Sequence, residues 1–341
     1  MSQDLRAGAD LPAGLVFLTG ATGFIGSWLA RRLAERGWRL RCLVRQSSQT
    51  SELEALGAEL VRAELTDAAA LTAAMEGADL AYHLAALYDV GVVDEAEMER
   101  VNVQGTRAFL DAVARTGVPR AVYVSTTVAL GPVPRGSGDE TTVHSGRPRS
   151  AYERTKLEAH RLARAAQARG LPLIIACPAN VYGPGDDGPN GRFIADLLKG
   201  HLPGLPTRPS WFSYVHVDDV AEGLVRVGEQ GAPGAIYVLS GEDASLNDFA
   251  RRAAALAGKR APLLRFPPVA IRATGTVLDA ISRATGFRFP ITRENADTAS
   301  GLRWLHSHDR ATGELGWTPR GLDAGLPETV SWFLRGRRTD R

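Results

Sequence analysis

Short apolar runs alternate with amphipathic stretches over the first 180 residues of the chain. The runs are LVFLT (15–19), LRCLVR (40–45), AELV (58–61), DLAYHL (79–84), RAVYVST (120–126) and LPLIIACP (171–178). Runs this short, with apolar residues at successive rather than alternate positions, predict strands covered on both faces. Periodic stretches near 24–36, 67–76, 94–116 and 150–169 predict the covering helices. In the first of them Ile25, Leu29 and Leu33 recur every four residues and form one sheet-facing stripe. Strands and helices in strict alternation predict an α/β fold built on a doubly wound parallel sheet.

After Pro178 the pattern loosens. VYGPGDDGPNG (181–191) and HLPGLPTRPS (201–210) read as turn-rich loops. FSYVHVDDVAEGL then returns to strand and helix, with Asp218 or Asp219 placed as the N-cap. A strand at 235–240 and helices near 245–257, 269–285 and 307–315 follow. The expected organisation is a sheet domain over 14–180 plus about 212–243. A smaller, mostly helical lobe is expected from 181–211 and 244–335, with flexible ends at 1–13 and 336–341.

Composition adds exclusions. A net charge of +2 over 341 residues creates no strong field toward nucleic acid or an anionic membrane, so neither is an expected partner. No apolar run reaches the roughly 18 residues that span a bilayer, and the first dozen residues lack a leader-like apolar segment, so the cytoplasm is the expected compartment. Cys42 and Cys177 fall on the second and sixth strands, about 19 Å apart at ~4.8 Å per strand, and are expected as buried thiols. Three lysines stand against 37 arginines, a bias that bears on two sites below.

Residues 19–26, TGATGFIG, place glycines at 20, 23 and 26 between a strand and a helix. Gly20 permits the tight turn, Gly23 lets backbone approach a pyrophosphate, and Gly26 allows close helix–strand packing. The free N–H groups at the helix start hold phosphate, so a dinucleotide cofactor is expected here. A second constellation is Tyr152 and Lys156, four residues apart on one helix face. With seven tyrosines and three lysines, chance supplies roughly 0.06 such pairs, so the spacing is specific. A phenol titrating near ~10 is a poor base unless a neighbouring ammonium favours the phenolate. The pair suits proton transfer to a carbonyl oxygen, or from an alcohol, while a nicotinamide carries hydride.

The glycine turn, with Thr19 before it and Phe24-Ile25 within it, resembles that of the extended short-chain dehydrogenase/reductase family, a Rossmann fold. The resemblance implies that Thr22, Phe24 and Ile25 join the three glycines at the cofactor. ELVRAELTD (59–67) is similar to the family's V-x-G-D-L-x-D, with Ala63 and Glu64 as departures, and implies Glu64 and Leu65 beside the adenine. HLAA (83–86) matches closely and implies Leu84, Ala85 and Ala86 beside the ribose and nicotinamide side; His83 reads as structural. YVSTTVALG (123–131) resembles S-S-x-x-V-x-G and puts Thr126 at the hydroxyl that holds the substrate oxygen. VNVQGT implies that Asn102 serves a water relay or a helix kink near the lysine. ACPANVYGPGD (176–186) matches R-P-x-N-V-Y-G-P-G-D, with Cys177 for Arg, and implies backbone near Pro178 and Val181 at the nicotinamide amide. DRATGELGWTPRGLDAGLPETVSWF resembles the ending of bacterial dihydroflavonol-reductase-like and hopanoid-associated epimerase-like members. The family further implies a homodimer through the helices near 94–116 and 150–169.

Arg45 closes the second strand, where an NAD-binding chain commonly places a carboxylate. A guanidinium fork suits a 2′-phosphate, and Gln46, Ser47 and Ser48 add polar donors. The expectation is therefore NADP(H) in preference to NAD(H). Dehydratases of the family carry an acidic pair after the catalytic threonine, and Thr127-Val128 stand there instead. Tyr88, Tyr182, Phe193, Trp211, Phe212 and Tyr214 are expected to line an apolar pocket. The expected substrate is a bulky apolar carbonyl compound. A nucleotide-sugar epimerase, using Arg192 or Arg208 on a diphosphate, and a non-catalytic dinucleotide sensor are the alternatives.

Overall fold

The computed structural model describes residues 14–89, 93–287, 289 and 292–336. The first half runs β1 (Leu15–Thr19), α1 (Phe24–Glu35), β2 (Arg39–Val44), α2 (Ser51–Ala55), β3 (Glu59–Arg62), α3 (Ala68–Met75) and β4 (Leu80–His83). It continues through α4 (Glu95–Glu99), a π-helical turn (Arg100–Gln104), α5 (Gly105–Thr116), β5 (Ala121–Val124), α6 (Ala151–Ala168) and β6 (Leu173–Pro178). The second half adds β7 (Asn180–Tyr182), α7 (Pro189–Lys199), β8 (Leu205–Pro206), β9 (Trp211–His216), α8 (Val217–Gln230), β10 (Ile236–Leu239) and β11 (Glu242–Ser245). Then come α9 (Leu246–Leu256), β12 (Arg265–Phe266), α10 (Pro268–Thr285), α11 (Arg293–Ala299), β13 (Arg303–Trp304), α12 (Asp309–Leu315) and α13 (Leu322–Arg335). Of the expected terminal segments 1–13 and 336–341, all residues but Gly336 lie outside the described residues.

The main sheet has seven parallel strands in the order β10-β6-β5-β4-β1-β2-β3. The order reverses between β1 and β4, so the carboxyl ends of these two strands open a crevice for ligand. Helices cover both faces. Leu29 and Leu33 of α1 and Leu224 and Val227 of α8 pack on one side. Leu71, Phe109 and Ala163, from α3, α5 and α6, pack on the other. Because both faces are covered, β1, β5 and β6 are buried at every position.

Three sequence expectations change. The helix near 94–116 is interrupted by the π turn that carries Asn102. Neither Asp218 nor Asp219 caps α8: the strand ends at His216, whose Nδ1 accepts from the Asp218 N–H at 3.3 Å. Both aspartates lie in the first turn, where Arg32 and Arg320 hold Asp218 at 2.6 and 2.7 Å. The segment 181–211 is no plain loop. It contains β7 and β8 and the helix α7, started by Pro189 at its first turn and stopped by left-handed Gly200.

β9 is the spine of a second, small sheet, with β11 antiparallel on one edge and β7 and β13 parallel on the other. With α7, α9 and α13 it encloses a separate core around Ile194, Leu198, Phe249 and Leu326. α12 and Trp317 instead pack on the main sheet beside α8. Among the described residues no helix is long and apolar enough to cross a membrane, and Cys42 and Cys177 are free and buried.

Candidate active site

The glycine turn joins β1 to α1 at the crevice. Gly20 has φ +77°, and a Cβ on it would stand 2.5 Å from the Ala85 nitrogen, so Ala85 closes directly over the turn. A Cβ on Gly26 would meet the Gly20 carbonyl oxygen at 2.0 Å, which fixes how closely α1 lies on the turn. At Gly23 the nearest atom would be 3.3 Å away, and this N-cap residue receives no side-chain cap. The first turn of α1 therefore offers its N–H groups to an anion, and the cradle fits a dinucleotide pyrophosphate. Thr22 is exposed, and Phe24 and Ile25 reach the cavity described below.

Around the adenosine end, Arg45 follows β2 and is exposed, with no acid at the strand end. Arg62 donates to the carbonyls of Arg45 and Gln46 at 3.4 and 3.2 Å, placing a second guanidinium under that loop. Sequence reading missed Arg62; its place at the end of the neighbouring strand was the available signal. Glu64 is exposed and ion-paired to Arg100 at 3.4 Å, whereas Leu65 is buried against Gly105. Leu84 and Ala85 are half-buried and Ala86 is exposed at the crevice rim.

His83 is buried and stacked on Phe109. Thr106 gives its hydroxyl proton to the Asn102 carbonyl at 2.7 Å, so it must accept from His83 Nε2–H at 3.1 Å. Nδ1 is left to accept from Thr19 at 2.7 Å. Burial pushes this imidazole down to about 3, so it stays neutral and serves as a strut. Asn102 extends the network: its Oδ1 accepts from Leu87 N–H at 2.7 Å, and its Nδ2 donates to the Leu87 carbonyl and to Thr155 Oγ1, both at 3.0 Å. The asparagine's side-chain hydrogen bonds go to Leu87 and Thr155, and the lysine's goes to Val124. Asn102 ties the π turn to the loop after β4 and to α6 beside Lys156.

Helix α6 begins with a tight N-terminal brace. Ser150 Oγ accepts from the Glu153 N–H at 2.9 Å, and the buried Glu153 carboxylate accepts from Arg149 N–H and His144 Nε2, each at 2.7 Å. This brace holds Tyr152 at the crevice. Its ring packs against Tyr88, ring centres 4.5 Å apart, and both Tyr152 and Thr126 line the cavity described below. Burial pushes the phenol up to about 12, opposed by the Thr126 contact. Lys156 is buried lower on the same face; its Nζ donates to the Val124 carbonyl at 3.1 Å and lies 5.1 Å from the Tyr123 ring centre. Burial pushes this ammonium down to about 8. The ammonium thus has a backbone carbonyl and the Tyr123 ring as its neighbours, whereas the phenol's ring neighbour is Tyr88. Ser125 is engaged with His160 Nδ1 at 2.9 Å, which leaves Thr126 as the hydroxyl facing the phenol.

The phenol opens on a cavity of about 710 Å³ between the crevice and the small lobe. Tyr88, Tyr182, Phe193, Phe212 and Tyr214 line it, with Pro178 and Val181 near its floor. Trp211 does not: it is 41% exposed at the lobe surface. The lobe adds Leu205, Phe249, Phe266, Ile271, Phe289 and Trp304 to the wall, residues far along the chain whose convergence no local pattern signals. Arg192 lies on the wall and binds Asp89 at 2.6 Å; Arg208 is not a wall residue.

Residues 16–240 match the NAD dependent epimerase/dehydratase family. The protein belongs to that family. This extended short-chain dehydrogenase/reductase is an enzyme of the NAD(P)-dependent class. It is 31% identical over 324 residues to "Sterol demethylase protein B" of Methylococcus capsulatus, covering 93% of this chain and 97% of that one. It is also 31% identical over 344 residues to a "3 beta-hydroxysteroid dehydrogenase/Delta 5-->4-isomerase" of Mycobacterium tuberculosis, covering 94% and 91%. Among solved structures, the crystal structure of gox2253 superposes with a TM-score of 0.82 at 34% identity, covering 95% of this chain and 99% of that one.

Proposed function

We propose that the protein is an NADP(H)-dependent oxidoreductase that reduces a carbonyl of a bulky apolar molecule, or oxidises the corresponding alcohol. The observation that carries this reading is the 710 Å³ cavity: its wall is largely aromatic and aliphatic, and one end is the Tyr152–Thr126 pair. The glycine turn and the Leu84–Ala86 rim would hold the dinucleotide, with Lys156 available to its ribose hydroxyls. When bound, the nicotinamide supplies or accepts the hydride. Thr126 orients the substrate oxygen, and Tyr152, protonated at neutral pH, donates to it as charge develops. Asn102 positions α6 for that transfer.

Two relatives that carry sterol and steroid names support an apolar substrate. An epimerase acting on a sugar nucleotide gains little support, because the cavity's Arg192 is already neutralised by Asp89. The test is NADPH consumption against a panel of ketones graded from acetone-sized to sterol-sized. A rate that rises with apolar bulk supports the reading; no net NADPH consumption with any of them overturns it.

Cofactor choice follows from the two guanidinium groups at the ends of β2 and β3. Arg45→Asp is expected to weaken NADPH binding by about 10- to 100-fold, the range for losing one charge-assisted phosphate contact, with NADH binding unchanged or tighter. Fluorescence titration with both coenzymes checks this, and an unchanged ratio would remove Arg45 from the phosphate site. A homodimer through α5 and α6, and a cytoplasmic location in which the two thiols stay reduced, complete the proposal.

A further inference from the structure

Eleven large hydrophobic residues are exposed among the described residues, and six of them lie within the single stretch 263–287. Leu263 is 82% exposed, Val269 73%, Val277 59% and Phe287 63%, with Leu264 and Ile281 beside them. The cause is how α10 docks. Gly275 and Ser282 are its buried residues, and a Cβ on Gly275 would stand 2.4 Å from the Thr292 backbone, so that face is pressed on the start of α11. Val269, Ala273, Val277, Ala280 and Ala284 recur at helical spacing on the opposite face, each exposed except where Leu278 and Asp279 turn inward between them. A stripe of this size on a single-chain surface marks an interaction site.

The charges around it say what kind. Residues 259–287 carry Lys259, Arg260, Arg265, Arg272 and Arg283 against Asp279 alone, a net +4 where the entire chain has +2. All five cationic residues are exposed, while Asp279 is half-buried and accepts from the Arg293 N–H. The whole-chain charge, which argued against an anionic membrane, averages this segment with a remainder that is net acidic. An exposed apolar stripe rimmed by arginine, without exposed acid, is the signature of a helix that lies in the interface of an anionic bilayer.

The same segment walls the cavity: Phe266, Ile271 and Ser282 line it from beneath the stripe. We propose that α10 and the preceding Leu263–Leu264 segment seat the protein on an anionic lipid surface, so that an apolar substrate dissolved in that surface reaches the cavity under α10. The last clause rests on the reductase reading; the docking itself does not.

The test is co-sedimentation of the full-length protein, loaded with NADPH, with vesicles of phosphatidylcholine alone or with about one third phosphatidylglycerol. The protein is expected to partition at least about tenfold more strongly onto the anionic vesicles, and to be released by salt as surface charges are screened. Leu263→Glu/Val277→Glu and, separately, Arg260→Glu/Arg283→Glu are each expected to lower that partition about tenfold or more while NADPH affinity stays at the wild-type value. None of these four residues lines the cavity or the cofactor cradle. Absence of wild-type binding to anionic vesicles overturns the proposal, as does binding that both double variants retain. Self-association abolished by Val277→Glu without vesicle binding would show instead that a second copy covers the stripe. Because no substrate enters the assay, its failure leaves the carbonyl reading to the ketone panel.

Discussion

Replacing Tyr152 with phenylalanine is expected to lower kcat by about 10²- to 10⁴-fold, the usual contribution of a positioned proton donor, while the NADPH dissociation constant moves by less than about twofold. The Tyr152 phenol lines the cavity together with the Thr126 hydroxyl that follows β5. Burial holds the phenol up to about 12, so at neutral pH essentially every molecule presents a proton to a bound carbonyl. Phenylalanine keeps the ring packing on Tyr88 and removes only the hydroxyl. The loss should therefore fall on kcat, because the missing interaction grows as negative charge develops on the substrate oxygen. Steady-state NADPH oxidation and a direct coenzyme titration separate the two terms. A variant with full turnover would mean that another group delivers the proton, and the assignment of Tyr152 would fail.

How much of this arrangement could be read from the chain depends on the range of the interactions involved. The six strands before residue 180 each fall within two residues of the structure's strands at either end; β1, β4, β5 and β6 were the clearest, because a strand buried on both faces is apolar along its length. The glycine turn was legible for a more local reason: Gly20 takes a left-handed φ, and Gly26 sits where a Cβ would collide with the backbone of Gly20 and Ala21. α7 was not. Its start, GPNG, carries strong turn residues, and much of the core that Ile194, Leu197 and Leu198 join is supplied by α9 and α13, far along the chain. The cavity wall shows the same limit. Tyr182 and Tyr214 belong to motifs that follow the sheet, whereas Phe249, Phe266 and Trp304 are brought in by a lobe whose spacing has no periodic signature. Asn102 was located by its motif, yet what it does had to be seen. A π turn exposes no pattern in RVNVQ, and its polar links to Leu87 and Thr155 cross 15 and 53 residues. Charge was misleading at chain scale for the reason that folding sorts it: a +4 segment disappears into a total of +2.

The second large effect concerns Lys156 and is visible without substrate. The residue is 4% exposed, and among the described residues its ammonium makes one hydrogen bond, to the Val124 carbonyl, and no ion pair. Burial pushes it from about 10.5 down to about 8. Between those values the unfolded chain binds a proton that the folded chain has released, so folding stability from this group rises with pH through that window. Below pH 8 the folded chain carries the full cost of burying the charge, on the order of 3 kcal/mol for a shift of this size. Lys156→Met keeps the aliphatic stem and removes the titration. In the coenzyme-free protein it is therefore expected to be at least as stable as wild type at pH 7, by urea denaturation, and its advantage should shrink toward zero as both are taken to pH 10. The same variant should lose turnover at least about tenfold and bind NADPH more weakly, since a charge held at this cost awaits the ribose hydroxyls. Such a site gives up stability when empty in exchange for function when filled. Wild type and variant with parallel pH dependence of stability would show that Lys156 titrates alike in the folded and unfolded chains, and that the empty pocket bears no cost for holding a cation in waiting.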